Sequence, residues 1–155
     1  MPVVTDLRVE LRAVAPADLE IFFIQQQDPS ACEMAAFPPR SRPAFDVHWA
    51  RVLADPSAIT RTVLADGVVA GNAACFGPTD QREVAYWIGR EFWGQGVATA
   101  ALGALLAELS ERPLHAIVAQ HNAASLRVLE KCGFERRGEQ LAEDGILEIE
   151  LELER

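Results

Sequence analysis

The sequence predicts an α/β fold on three observations. Strand-period and helix-period segments alternate along the chain, and glycine-bearing or two-residue turns separate them. The 155 residues, 50% hydrophobic and 24% charged, suffice for one real core. No repeat or linker interrupts residues 1–155, so one domain is expected.

Leu7, Val9, Leu11 and Ala13 alternate with Arg8, Glu10 and Arg12, which predicts an opening strand. Pro16, Asp18 and Glu20 suit a helix start, and Leu19 with Ile21, Phe22, Phe23 and Ile24 carries its apolar stripe to about Gln27. Pro29, Pro38, Pro39 and Pro43 predict a long shaped loop from Asp28 to Ala44, with Met34 and Phe37 available to line a pocket. A shorter helix is expected over Phe45 to Ala54. Ile59 to Ala65 and Val68 to Phe76, joined by Asp66-Gly67, read as a hairpin.

Val84 to Ile88 is a further strand, followed by a glycine-bearing turn from Gly89 to Gly96 that opens a helix over Val97 to Ser110, stopped by Pro113. Leu114 to Ala119 is strand-like, and Asn122 suits the cap of a helix that runs to Cys132 and stops at Gly133. From Phe134 the chain is extended again. Past a turn at Glu143-Asp144-Gly145, Ile146 to Glu154 alternates Ile149, Leu151 and Leu153 with Glu148, Glu150, Glu152 and Glu154 on a solvated face.

Lys and Arg number 14 against 23 Asp and Glu, a net charge of -9 that disfavours phosphate backbones and anionic membrane surfaces. Residues Met1 to Asp6 lack a basic and apolar leader pattern, and the uncharged stretch Val97 to Ala107 is too short to span a bilayer, so a soluble, untargeted protein is expected. Cys32, Cys75 and Cys132 are odd in number and far apart, which suggests neither a disulfide framework nor a zinc site. A reducing cytoplasm and no bound metal are expected.

Trp93-Gly94-Gln95-Gly96-Val97-Ala98-Thr99 puts two glycines where a strand hands over to a helix, so backbone N–H groups and the positive helix end converge on one spot. That spot suits a phosphate or pyrophosphate, and the same residues serve equally as a tight start to a helix. A dinucleotide site would have Gly or Ala at Thr99 and an acidic residue about 20 positions on, whereas the next strand ends Val118-Ala119-Gln120-His121. A Walker loop is excluded because no Gly-Lys-Ser/Thr follows.

The turn Trp93 to Thr99 resembles the pyrophosphate-binding turn of the GNAT superfamily of acyl-CoA N-acyltransferases, in the W-G-x-G-x-A-T form of its RimJ/RimL-like branch. Asn122 to Phe134 is similar to that branch's N-x-x-S-x-x-V-x-E-K-x-G-F helix, at the spacing the family shows. The resemblance implies a mixed, strongly bent central sheet with flanking helices and a splayed central strand pair, here Val84 to Ile88 and Leu114 to Ala119, whose gap admits the pantetheine of acetyl-CoA. It implies cofactor contacts from Ile88, Gly94, Gln95, Gly96, Val97, Ala98, Thr99, Asn122 and Ser125.

The implied reaction is direct attack of a primary amine on the thioester, which needs a neutral amine, a donor for the developing oxyanion and a proton for the thiolate. Neutralising a lysine ammonium of pKa ~10.4 at pH 7 costs roughly 4.6 kcal/mol, an α-ammonium only about 1–1.4. By resemblance Glu83 is the base, directly or through water, and Ser125 lies near the sulfur, so that Ser125 or water protonates the thiolate; the implied splayed strand offers the Ile88 N–H to the thioester carbonyl. Read from the residues alone, Glu83 is equally a solvated member of the turn Thr79 to Glu83, Asn122 a helix cap and Ser125 a surface hydroxyl. Two departures stand out: Trp93 replaces the Gln or Arg of the wider superfamily, leaving phosphate binding to the backbone, and Leu129 holds the position of its frequent proton-donating Tyr.

Cys75 and Cys132 read as small apolar residues, His48, His115 and His121 as scattered, and Trp49, Trp87 and Tyr86 as core or pocket wall. The resemblance puts the acceptor between the loop Asp28 to Ala44 and the hairpin Gln140 to Ile146, where Glu33, Glu143 and Asp144 form an acidic rim for a cationic amine. The expected partners are acetyl-CoA and that amine, with no nucleic acid or membrane, in a monomer or homodimer. Two rival readings remain: a CoA-binding or ligand-sensing module without turnover, and a plain nucleotide-binding α/β domain.

Overall fold

Asp66 and Gly67 both adopt positive φ, 49° and 79°, the geometry that lets a two-residue turn follow the twist of its strands. The turn joins β2 (Ile59–Ala65) to β3 (Val68–Phe76), and both strands keep the limits expected of the two runs that flank it. The computed structural model describes residues 7–155; the reading of residues 1–6 lies outside them. Added to this hairpin are β1 (Val9–Arg12), β4 (Arg82–Ile88), β5 (Leu114–Ala119), β6 (Glu135–Leu141) and β7 (Leu147–Leu153). They form one seven-stranded sheet in the order β1-β2-β3-β4-β5-β7-β6. Every neighbouring pair is antiparallel except β4–β5, so the sheet is mixed as expected.

The helices are α1 (Asp18–Gln26), α2 (Pro29–Ala35), α3 (Arg42–Ala54), α4 (Val97–Glu108) and α5 (Ala123–Lys131). Three expectations are corrected. The segment Asp28 to Ala44 is not one loop, because Pro29 and Pro43 each sit in a first helical turn, where a missing N–H costs nothing. Asp28 caps α2 by accepting from the Ser30 N–H, and Ser41 caps α3 by accepting from that of Ala44. The helix expected from Phe45 therefore starts at Arg42 and is longer than α1. The helix α4 also stops at Glu108, short of Ser110.

The main core lies on one face of the sheet, where Val97, Ala101, Leu102 and Leu105 of α4 and Leu126 and Leu129 of α5 cover Val63, Cys75, Val84, Leu114, Ala116 and Leu151. On the other face Phe22, Phe45 and Trp49 make a smaller aromatic core beneath α1 and α3. Buried Asp18 ties three elements together: its carboxylate accepts from the Arg12 guanidinium at 2.6 and 2.9 Å, the Thr62 hydroxyl at 2.7 Å and the Ala15 N–H at 2.8 Å. That pairing holds the Asp18 carboxyl down at about 2. Among the described residues no helix is long and apolar enough to cross a membrane.

Candidate active site

Strands β4 and β5 pair only at Arg82 with Leu114 and at Glu83 with His115, and then part. The remaining edges are left facing a gap. A cavity of about 400 Å³ opens there, lined by Tyr86, Ile88, Gly94, Gly96, Val97, Ala98, Thr99, Asn122 and Ser125, with Met34 of α2 at its side. A second cavity of about 150 Å³ adjoins it and is lined by Glu83, Ala85, Ile117, Leu129 and Glu148. Tyr86, Asn122, Ser125 and Ala35 line both.

Alternation along β4 sets the chemistry of the two sides. Val84, Tyr86 and Ile88 point to the α4–α5 face, whereas Glu83, Ala85 and Trp87 point to the other. The gap thus joins a hydroxyl-bearing side to a carboxylate-bearing side. The ladder also alternates: the Gly89 N–H donates to Ala70 O on β3 at 2.8 Å, so the Ile88 N–H faces the gap. The Ile88 carbonyl faces it too and accepts from Trp93 Nε1 at 2.9 Å.

Gly94 and Gly96 have φ of +73° and +77°, and a Cβ on either would meet nothing within 4 Å. Conformation, not crowding, selects glycine here. Gly96 caps α4 with no side chain, so the free N–H groups of the first turn, from Val97 to Thr99, point at the large cavity. This cradle suits an anion, as the positive helix end requires. Arg127 and Lys131, one turn apart on α5, line the same cavity, and neither has an ion-pair partner among the described residues.

The half-buried Tyr86 hydroxyl lies 2.6 Å from Ser125 Oγ, and burial pushes its phenol up to about 12. Asn122 caps α5 by accepting the Ser125 N–H at 3.2 Å, which fixes the backbone of the serine. Glu83 is half-buried, and its carboxyl is pushed up first by burial and then by the negative charge of Glu148, while His115 pulls it down. Raised carboxyls beside a cavity are what a base near neutral pH requires.

The acetyltransferase (GNAT) domain family matches residues 8–135. The chain belongs to the GNAT acetyltransferase family. Among solved structures, a probable acetyltransferase is 25% identical, covering 98% of this chain and 95% of that one, with a TM-score of 0.79. The aminoglycoside acetyltransferase AAC(6')-Ib in complex with coenzyme A is 20% identical over 96% of this chain and 95% of its own, at a TM-score of 0.81. A spermidine N-acetyltransferase from Vibrio cholerae in complex with CoA and spermine is 17% identical over 94% and 95%, at 0.82. No curated protein sequence matches.

In this GNAT chain most of the residues expected at the site do converge on the gap. Gln95 does not line either cavity; its amide turns back to donate to Glu91 O at 3.0 Å. Glu33, Glu143 and Asp144 are exposed and line neither cavity, and Asp144 is occupied in its own turn, accepting from the Ile146 N–H. Besides Glu83, the acidic residue that reaches the gap is Glu148, expected only on a solvated face. Tyr86, expected as pocket wall, meets Ser125. Its place in the alternation puts it on the α4–α5 face, but nothing local in the sequence shows which helix residue it meets.

All three cysteines are free thiols. Burial pushes each thiol up, so none is poised as a nucleophile. His48 lies on α3, away from both cavities, and His121 Nε2 sits 2.9 Å from Glu33 O, joining the start of α5 to α2. No group of three or more His, Cys, Asp or Glu among the described residues is placed to hold a metal.

Proposed function

We propose that this chain transfers the acetyl group of acetyl-CoA to a primary amine by direct attack within a ternary complex. The observation that carries the reading is the opening of β4–β5 directly between an uncapped, glycine-led helix start and a raised carboxylate. The phosphates lie against the N–H groups from Gly94 to Thr99, with Arg127 and Lys131 adding charge. The pantetheine follows the free edge of β4 and the thioester carbonyl meets the Ile88 N–H. Glu83 takes a proton from the ammonium, directly or through water; the neutral nitrogen attacks, and the C–S bond breaks with its electron pair on sulfur beside Ser125.

The turn Trp93 to Thr99 and the helix Asn122 to Phe134 support the RimJ/RimL-like branch, and residues 1–155 act as one domain. The acceptor is cationic: Glu83 and Glu148 line the smaller cavity, and the relatives of known substrate acetylate aminoglycosides or spermidine. A protein N-terminal α-amine meets the same requirement with less demand on the base. Three free cysteines, Cys32 and Cys75 buried and Cys132 half-buried, suit a reducing compartment, in keeping with a cytoplasmic enzyme.

Leu129, fully buried where relatives often carry a tyrosine, favours the alternative of a CoA-binding module without turnover. Thiol release from acetyl-CoA across a panel of polyamines, aminoglycosides and peptides, with acetylated products weighed by mass spectrometry, separates the two. Amine-dependent release supports the enzyme. Tight CoA binding with no release across the panel supports the module.

A further inference from the structure

The hydroxyls of Tyr86 and Ser125 are 2.6 Å apart where the two cavities meet, and Leu129 is buried one turn further along α5. Two hydroxyls joined by one hydrogen bond leave one hydrogen free. The phenol is the stronger acid of the two, so it donates, and Ser125 Oγ accepts. The alternative acceptor for the phenol, the Ser125 carbonyl, is 3.4 Å away and weaker. Ser125 is thereby left with a hydrogen that is free to turn toward the cavities that it lines. With its phenol pushed up to about 12 by burial and by nearby Cys132, Tyr86 keeps the proton that it donates to Ser125 Oγ.

We propose, on the acetyl-CoA reading above, that Tyr86 is a positioning residue: by donating to Ser125 Oγ it aims the serine hydroxyl at the sulfur that departs from the thioester. As the C–N bond forms, the C–S bond breaks and its electron pair moves onto sulfur, where the Ser125 hydrogen bond meets it. One proton of the starting ammonium goes to Glu83. The nitrogen of the new amide sheds the second, which ends on sulfur as CoA–SH. The pair stands in for the tyrosine that Leu129 replaces, and it reaches the gap from β4 instead of from α5.

The test is the ionisation of the thiol of bound CoA, read from thiolate absorbance against CoA-free protein, with CoA affinity from calorimetry on the same samples. It needs no acceptor. A hydrogen bond to the thiolate strengthens the acid, so with each variant saturated with CoA, Tyr86→Phe and Ser125→Ala each weaken the thiol's acid constant about tenfold. The double variant is no weaker than Ser125→Ala, and Ser125→Thr, which keeps a hydroxyl, restores the Tyr86 effect. Thiols that titrate alike in all variants overturn the proposal, as does a Tyr86→Phe effect that persists without Ser125. With CoA still bound, such a result leaves the acetyl-CoA reading intact. Failure of the unsubstituted protein to bind CoA overturns both.

Discussion

Glu83 and His115 are the last residues paired between β4 and β5, so the Glu83 carboxylate stands at the point where the sheet opens. Its neighbours set its titration: burial and Glu148 raise it, His115 lowers it. The base form is therefore reached at higher pH than for an ordinary glutamate. The acidic limb of kcat/KM lies above the usual carboxylate range, and Glu148→Gln moves it to lower pH. A pH–rate profile of both proteins checks the sign.

Removal of the base itself follows from the same geometry. Glu83→Gln lowers kcat/KM for a lysine-like amine by about 100-fold or more, and the deficit shrinks as pH rises and a growing fraction of the amine is already neutral. Steady-state thiol release from pH 6 to 9.5 measures this. A pH-independent deficit contradicts the base role.

Gly96 holds φ +77° with open space where a Cβ would stand. Gly96→Ala therefore costs about 1–2 kcal/mol through backbone strain alone. If the turn also cradles phosphates, CoA affinity falls with it. Thermal unfolding with and without CoA separates the two effects, because strain lowers both Tm values and a damaged cradle narrows the gap between them.

Arg127→Ala and Lys131→Ala each weaken CoA binding about two- to fivefold, the worth of an exposed ion pair. The loss fades as salt screens the charges. Calorimetry at two ionic strengths checks it.

Asp18 is buried against Arg12 and titrates near 2 in the folded chain, below its unfolded value. The stability it contributes, on the order of 2 kcal/mol, is complete above the unfolded pKa and drains away as pH falls through the folded one. Asp18→Asn removes the pH dependence between those limits and lowers stability at pH 7. Urea unfolding at pH 3 and pH 7 measures both.

Much of this was legible in the sequence because the signals were local. The Asp66-Gly67 turn carries its own backbone demand, and β2 and β3 on either side keep their expected limits. Asn122 announces a helix start, and Gly94 and Gly96 a backbone that only glycine adopts easily. The prolines misled for a physical reason: Pro29 and Pro43 break helices from within but start them from the first turn, and sequence position alone does not say which. Tyr86 and Glu148 were hidden differently. Each sits in a regular alternation that assigns it a face, but whether that face meets a helix, solvent or a missing neighbour depends on the partner strand. The resemblance identified Ser125; only packing shows that Tyr86 meets it.

A CoA site in the β4–β5 gap binds both acetyl-CoA and free CoA. A thermal shift with acetyl-CoA, CoA, NAD and ATP in parallel tests it most directly. At ~100 times its Kd a ligand adds about 2.7 kcal/mol, or roughly 5–11 °C for a chain of this size. That shift is expected for acetyl-CoA and CoA, and none for NAD or ATP. No shift with either CoA species well above micromolar concentration, or an equal shift with ATP, contradicts it.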